Sequence, residues 1–174
     1  MTVPHAYHFR RATPSDLPLL AAWLSAPHVR AWWDRGKPYD EADLADPRVR
    51  RWTVSFGGRP FAFMQDYDVA GFEGHHFAAL PKGARGIDQF IGIPSMLGAG
   101  HGTAFIGQRL TELFAEGAPV IATDPHPLNG RAIVVYMKLG FNVAGPPKET
   151  DWGLILPMTA DRPPDDTASK GGPT

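Results

Sequence analysis

The chain has 174 residues, 43% of them hydrophobic and 11% aromatic, which suits one compact domain with a real core and leaves no room for a second. A formal net charge of −1 supplies no excess of Lys and Arg to neutralise a phosphate backbone, so nucleic acid is not an expected partner. The absence of cysteine excludes disulfides, thiolate metal sites and a cysteine nucleophile, and fits a reducing cytoplasm. No apolar run approaches the ~20 residues that span a bilayer, and the N-terminus lacks a basic stretch leading into an apolar one, so a soluble cytoplasmic protein without membrane partners is expected.

In chain order, Tyr7-His8-Phe9-Arg10-Arg11 reads as a short strand. Thr13-Pro14-Ser15-Asp16 then opens an apolar helix through Leu17, Leu20 and Leu24, with Pro early, where its missing N–H matters least. Residues 27–46 carry Trp32, Trp33, Gly36 and two prolines, Pro27 and Pro38, which predicts a short helix and an irregular arm. Residues 52–56 and 60–64 flank Gly57-Gly58-Arg59 as an antiparallel hairpin. Residues 68–86 are polar and glycine-containing and read as a loop, in which the adjacent His75 and His76 lack metal-ligand spacing and are expected to face solvent. No metal is indicated.

The apolar run at 86–93 reads as a buried strand, followed by a helix whose stripe is Ile106, Leu110, Leu113 and Phe114. A second buried strand covers 119–123, and a helix over 128–139 is stopped by Gly140 in the position that favours glycine. Residues 141–144 and 152–156 are expected to finish the sheet, giving an α/β (α+β) domain over 1–160. The tail 161–174, rich in Pro and Gly, is expected to be disordered.

Between the buried strand and the helix lies Leu97-Gly98-Ala99-Gly100-His101-Gly102-Thr103. Glycines here let backbone N–H groups converge at a helix N-terminus, where the macrodipole favours an anion such as a diphosphate. A P-loop would end in Gly-Lys-Ser/Thr, and a dinucleotide fingerprint would place Gly or Ala where Thr103 stands. Neither is met. An acetyl-CoA pyrophosphate loop and an ordinary glycine-rich turn both remain open on these residues alone.

Further on, Asn129, Ala132, Tyr136, Lys138, Gly140 and Phe141 stand in register with Asn-x-x-Ala-x-x-x-Tyr-x-Lys-x-Gly-Phe. This resembles the signature of the GNAT superfamily of N-acetyltransferases. Asn129 and Tyr136 are seven apart, so a helix projects both from one face, about two turns from each other. Within the superfamily the chain is most similar to aminoglycoside 6'-N-acetyltransferases, through His28-Val29-Arg30-Ala31-Trp32-Trp33, Arg85-Gly86-Ile87-Asp88-Gln89-Phe90-Ile91-Gly92, residues 97–103 and residues 123–141. The resemblance spans residues 28–158, with Leu97 where relatives carry Arg or Gln.

The resemblance implies the GNAT fold: a mixed, mostly antiparallel sheet of six to seven strands, helices on both faces and a splayed central strand pair. It implies acetyl-CoA as acetyl donor, held by the freed backbone of Phe90, Ile91 and Gly92, by the loop Gly98, Ala99, Gly100, His101, Gly102 and Thr103, and by Asn129. It also implies Tyr136 as the acid that protonates the departing sulfur. Asp88 on an otherwise apolar strand would be costly without a cationic partner, which points to an amine acceptor that it orients and deprotonates, with Asp124 holding the same or a neighbouring ammonium. Trp32 and Trp33 supply ring faces for an acceptor wall, although packing is an equal reading for at least one. The acceptor is then a small-molecule amine, and the chain a monomer or homodimer.

One feature departs from the resemblance. Relatives carry a strongly acidic loop before Gly86, whereas residues 72–85 here offer Glu73 against Lys82, Arg85 and two histidines. A siderophore-type lysine N-acyltransferase and a non-catalytic acyl-CoA-binding module are the alternatives.

Overall fold

The computed structural model describes residues 7–33 and 35–164. Its spine is a seven-stranded sheet made of β1 (Tyr7–Arg11), β2 (Val49–Phe56), β3 (Arg59–Asp68), β4 (Arg85–Ile91), β5 (Val120–Thr123), β6 (Asn142–Val143) and β9 (Met158–Asp161). The remaining two strands, β7 (Lys148–Thr150) and β8 (Gly153–Ile155), form a separate hairpin. The order in the large sheet is β1-β2-β3-β4-β5-β9-β6, antiparallel throughout except for the parallel β4/β5 pair. This is the mixed, mostly antiparallel sheet expected.

The hairpin between β2 and β3 turns on Gly57 and Gly58 at φ 56 and 77, the left-handed pair that matches the twist of the flanking strands. Its strands are longer at their far ends than the apolar alternation suggested. One expectation needs correcting: residues 152–156 do not finish the sheet. The inserted strand is β9, which lies between β5 and β6 and carries the buried Met158 and Ala160. It takes in Asp161, and the Arg162 N–H bonds Pro119 O at 3.0 Å, so the ordered chain runs past residue 160. The rest of the expected tail, from residue 165, lies outside the described residues.

Helices α1 (Leu17–Ser25), α2 (Pro27–Arg30) and α3 (Glu41–Ala45) precede β2, and α4 (His101–Ala115) and α5 (Gly130–Lys138) flank β5. α4 buries Phe105, Ile106, Leu110 and Leu113 in a core with Ile87, Ile121, Phe141 and Met158. On α1, Leu20 and Trp23 pack with Tyr39 and Phe63 in a separate cluster that Trp33 and Phe90 join. Gly92 is small for this reason, because a Cβ there would overlap the Trp23 ring.

On β3, next to the Gln65 position and on the other face of the sheet, Asp66 is fully buried. It accepts from Arg50 Nε at 2.7 Å, Trp52 Nε1 at 2.7 Å, Arg85 at 2.5 Å and Arg109 at 3.0 Å. Arg109 in turn reaches Glu112, and Arg50 reaches Glu116, which ties β2, β3, β4 and α4 together.

Candidate active site

The site is a fork between β4 and β5. These parallel strands pair only through Arg85 with Ile121 and Gly86 with Ala122, whereas β3 and β4 stay in register from Asp68 with Arg85 to Ala62 with Ile91. Past Gly86 the two strands part, and the Thr123 hydroxyl donates to Ile87 O at 3.2 Å across the start of the gap.

Strand alternation decides which backbone groups face that gap. The Gly92 N–H donates to Phe61 O at 2.7 Å, so Gly92 and, two residues back, Phe90 turn their N–H groups to β3. Gln89 and Ile91 therefore turn theirs to the gap. Ile91 O points the same way and is bonded by His28 Nε2 at 2.9 Å, which fastens α2 to the open strand. Of the three residues expected to offer freed backbone, Ile91 does so. Phe90 instead stacks on Phe63 and meets Trp23 and Trp33 edge-on, and Gly92 makes room for Trp23.

The side chains of β4 divide by face. Asp88 lies on one face, directly across from Gln65, whose Nε2 donates to Asp88 Oδ2 at 2.9 Å. Gln89 lies on the other, where its amide donates to the Tyr136 hydroxyl of α5. The sheet thus carries a carboxyl on one side of the fork and a phenol on the other.

Burial pushes the Asp88 carboxyl well above the ordinary carboxylate range. The neighbouring Asp124 raises it further by charge and by hydrogen bonding, against smaller opposing effects of Gln65 and Arg51. Burial also raises the Tyr136 phenol above its ordinary value. Hydrogen bonding with Thr123 and Gln89 only partly offsets this, so the group keeps its proton. Tyr136 is 6% exposed.

Asp124 follows β5 immediately and reaches the site with a partner that the sequence did not suggest. His76 Nε2 lies 2.7 Å from Asp124 Oδ2, and the His76 side chain is 4% exposed. The expectation that His75 and His76 face solvent is therefore incorrect. Both rings stack, 4.2 Å apart, and His75 is driven down to about 4, chiefly by burial and then by His76. Phe72, His75 and Phe77 pack against a small cluster containing Tyr67 and Val69, so the loop is anchored by apolar contacts that its polar composition hid.

The tryptophans separate. Trp33 packs on Phe63 and Phe90, with ring centroids 6.0 and 5.2 Å apart. Trp32 is 50% exposed and leans on His126, just beyond Asp124, at 5.7 Å. Of the pair, Trp32 has the more exposed ring.

Below the fork, Gly98 and Gly100 adopt φ 70 and 86, and a Cβ at either would meet nothing. Glycine is required there by the backbone and not by crowding. Gly100 caps α4, whose first turn, His101, Gly102 and Thr103, presents N–H groups without intrahelical partners. With the exposed Ala99, these groups form an open cradle of backbone donors at a helix N-terminus, which fits a diphosphate. The His101 ring turns inward, bonding the Tyr7 hydroxyl at 2.8 Å and packing on Phe56 and Phe61. Asn129 caps α5, its side-chain oxygen accepting from Ala132 N–H at 3.3 Å. Sequence reasoning did not identify Gln65, Gln89, His28 or Thr123. For Gln65 only the hairpin register, which pairs it with Asp88, could have done so.

Known proteins are similar to this chain in sequence and fold. The acetyltransferase (GNAT) domain family matches residues 12–147. An aminoglycoside N(6')-acetyltransferase type 1 from Klebsiella pneumoniae is 34% identical over 149 residues, covering 78% of this chain and 74% of that protein. The structure of AAC(6')-Ib in complex with paromomycin and acetyl-CoA superposes with a TM-score of 0.80 at 32% identity, covering 90% of this chain and 94% of the other. The same enzyme with coenzyme A and kanamycin gives a TM-score of 0.79 at 32% identity, over 90% and 95% of the two chains.

Proposed function

Because the chain belongs to the GNAT acetyltransferase family, we propose that it transfers the acetyl group of acetyl-CoA to the 6'-amine of an aminoglycoside. The observation that carries this reading is the fork itself, with a carboxyl of raised pKa on one face and a buried phenol on the other. Acetyl-CoA supplies a thioester whose carbon is open to attack by a neutral amine.

The residues divide that work. The cradle at residues 98–103 binds the diphosphate through backbone N–H groups, and the N–H groups of Gln89 and Ile91 are free to donate within the gap. Asp88 takes a proton from the ammonium. A carboxyl raised toward the working pH is a better base for this than an ordinary one. As the C–N bond forms and the C–S bond breaks, the nitrogen releases its second proton to water, the sulfur collects negative charge, and Tyr136 gives the sulfur a proton and regains one from solvent. Gln89 donates to the Tyr136 oxygen, which leaves the phenolic hydrogen free to point elsewhere. Asp124, bonded to His76, adds negative charge beside Asp88, and Trp32 offers a ring face to a sugar.

Release of free thiol from acetyl-CoA tests this with two aminoglycosides that differ only in bearing a 6'-amine or a 6'-hydroxyl. Thiol should appear with the amine alone. Equal release with both, or with neither, would contradict the reading.

A further inference from the structure

His76 is held from three sides. Its ring stacks on His75 at 4.2 Å, Trp152 of the β7–β8 turn covers both histidines at 5.3 and 5.7 Å, and Nε2 meets Asp124 Oδ2 at 2.7 Å. His75 is itself fixed, because its Nδ1 accepts the Phe77 N–H at 3.1 Å. A carboxylate can only accept, so His76 presents an N–H to Asp124 just as an ammonium would. The other carboxyl of the pair, Asp88, has one oxygen taken by Gln65. Nothing in residues 72–85 replaces the occupied acceptor: the segment holds one acid, Glu73, and its Arg85 is spent on Asp66.

We propose that His76 fills, with its own N–H, the place at Asp124 that a second ammonium of the acceptor would take. The site then selects amines that bring a single ammonium to the Asp88–Asp124 pair. His76 is thereby a specificity-determining residue that acts through Asp124 and not on the reacting atoms. The proposal rests on the acetyl-transfer reading above. An acceptor with a second ammonium near the reacting amine must displace a buried, stacked imidazole, whereas one with a hydroxyl there need not.

The test uses two aminoglycosides that share the 6'-aminated ring and differ at its 2' carbon, one bearing a hydroxyl and the other an amine. Wild type should favour the 2'-hydroxyl compound in kcat/KM. His76→Phe keeps a ring against His75 and Trp152 and removes the N–H; it should move the ratio toward the 2'-amine compound by about tenfold, the scale of one hydrogen bond to a charged group. The change should lie in the acceptor KM and leave the acetyl-CoA KM alone. His76→Gln retains a donor and should keep the ratio within about threefold of wild type. His76→Leu gives the same reading if the Phe variant does not fold.

An unchanged ratio in Phe and Leu variants, or equal losses on both acceptors, would overturn the proposal and leave His76 a packing residue. If wild type acetylates neither compound, the aminoglycoside reading fails separately. The ratio of dissociation constants for the same two compounds, from calorimetry on wild type and His76→Phe, then decides the role of His76 alone.

Discussion

Asp88 combines a chemical asset with a structural cost. Its folded pKa is raised, so its contribution to stability is fully present below the unfolded value of about 3.9 and is lost as pH rises through the higher folded value. Above the unfolded value, keeping this carboxyl in its buried site costs stability. Asp88→Asn should therefore raise the Tm of the free protein near neutral pH, a gain that shrinks as the pH approaches the ordinary carboxylate range. The same change should lower kcat/KM by on the order of 10²-fold. A fall in Tm at neutral pH would show instead that Asp88 forms a stabilising ion pair. Tyr136→Phe keeps the ring against Phe141 and removes only the hydroxyl. Steady-state kinetics should show kcat down roughly 10- to 10⁴-fold with acetyl-CoA affinity unchanged; turnover within about twofold of wild type would make Tyr136 a packing residue.

At the scale of elements, β4 carries most of the design. Its N-terminal half pairs on both sides, its C-terminal half only with β3, and Gly92 lets it close on α1 at Trp23. Gly92→Ala should lose about 1–3 kcal/mol in urea unfolding through overpacking, and acceptor turnover should fall with the displacement of β4. Unchanged stability would mean that Trp23 yields without cost. Much of this element was legible in the sequence: an apolar run bounded by glycines marks a buried strand, and Asp88 stands out within it. The loop of residues 72–84 was not legible. Its polarity suggested solvent, but His75 and His76 are buried by rings from Tyr67, the neighbouring Phe77 and the distant Trp152, the last a contact that only folding brings together. The last strands failed for a related reason. Short segments of two to four residues, such as β6 and β9, carry too little periodicity to show that β9 enters between β5 and β6.

For the whole molecule, the sheet keeps two jobs apart. On the face toward α4, Asp66 is clamped by three arginines and Trp52, and although burial alone would raise its pKa, Arg109 and the other partners hold it below the ordinary range. That contribution is present above the unfolded carboxylate pKa and is lost only as pH falls through the lower folded value. Where β4 and β5 part, the Asp88–Asp124 pair has, among the described residues, only Gln65 and His76 as hydrogen-bond partners from outside the pair. Ligand that binds only the folded cradle stabilises it by mass action, about 2.7 kcal/mol at a concentration of 100 times Kd. Acetyl-CoA should thus raise Tm well beyond what ATP or NAD does at equal concentration; equal shifts would indicate a generic phosphate site. The most direct measurement is mass spectrometry with fragmentation of the product formed from acetyl-CoA and a 6'-aminated aminoglycoside. The expected product carries one acetyl group on the 6'-nitrogen, formed by wild type and strongly reduced in Asp88→Asn. Acetylation at another amine, or equal yield from the variant, would contradict it.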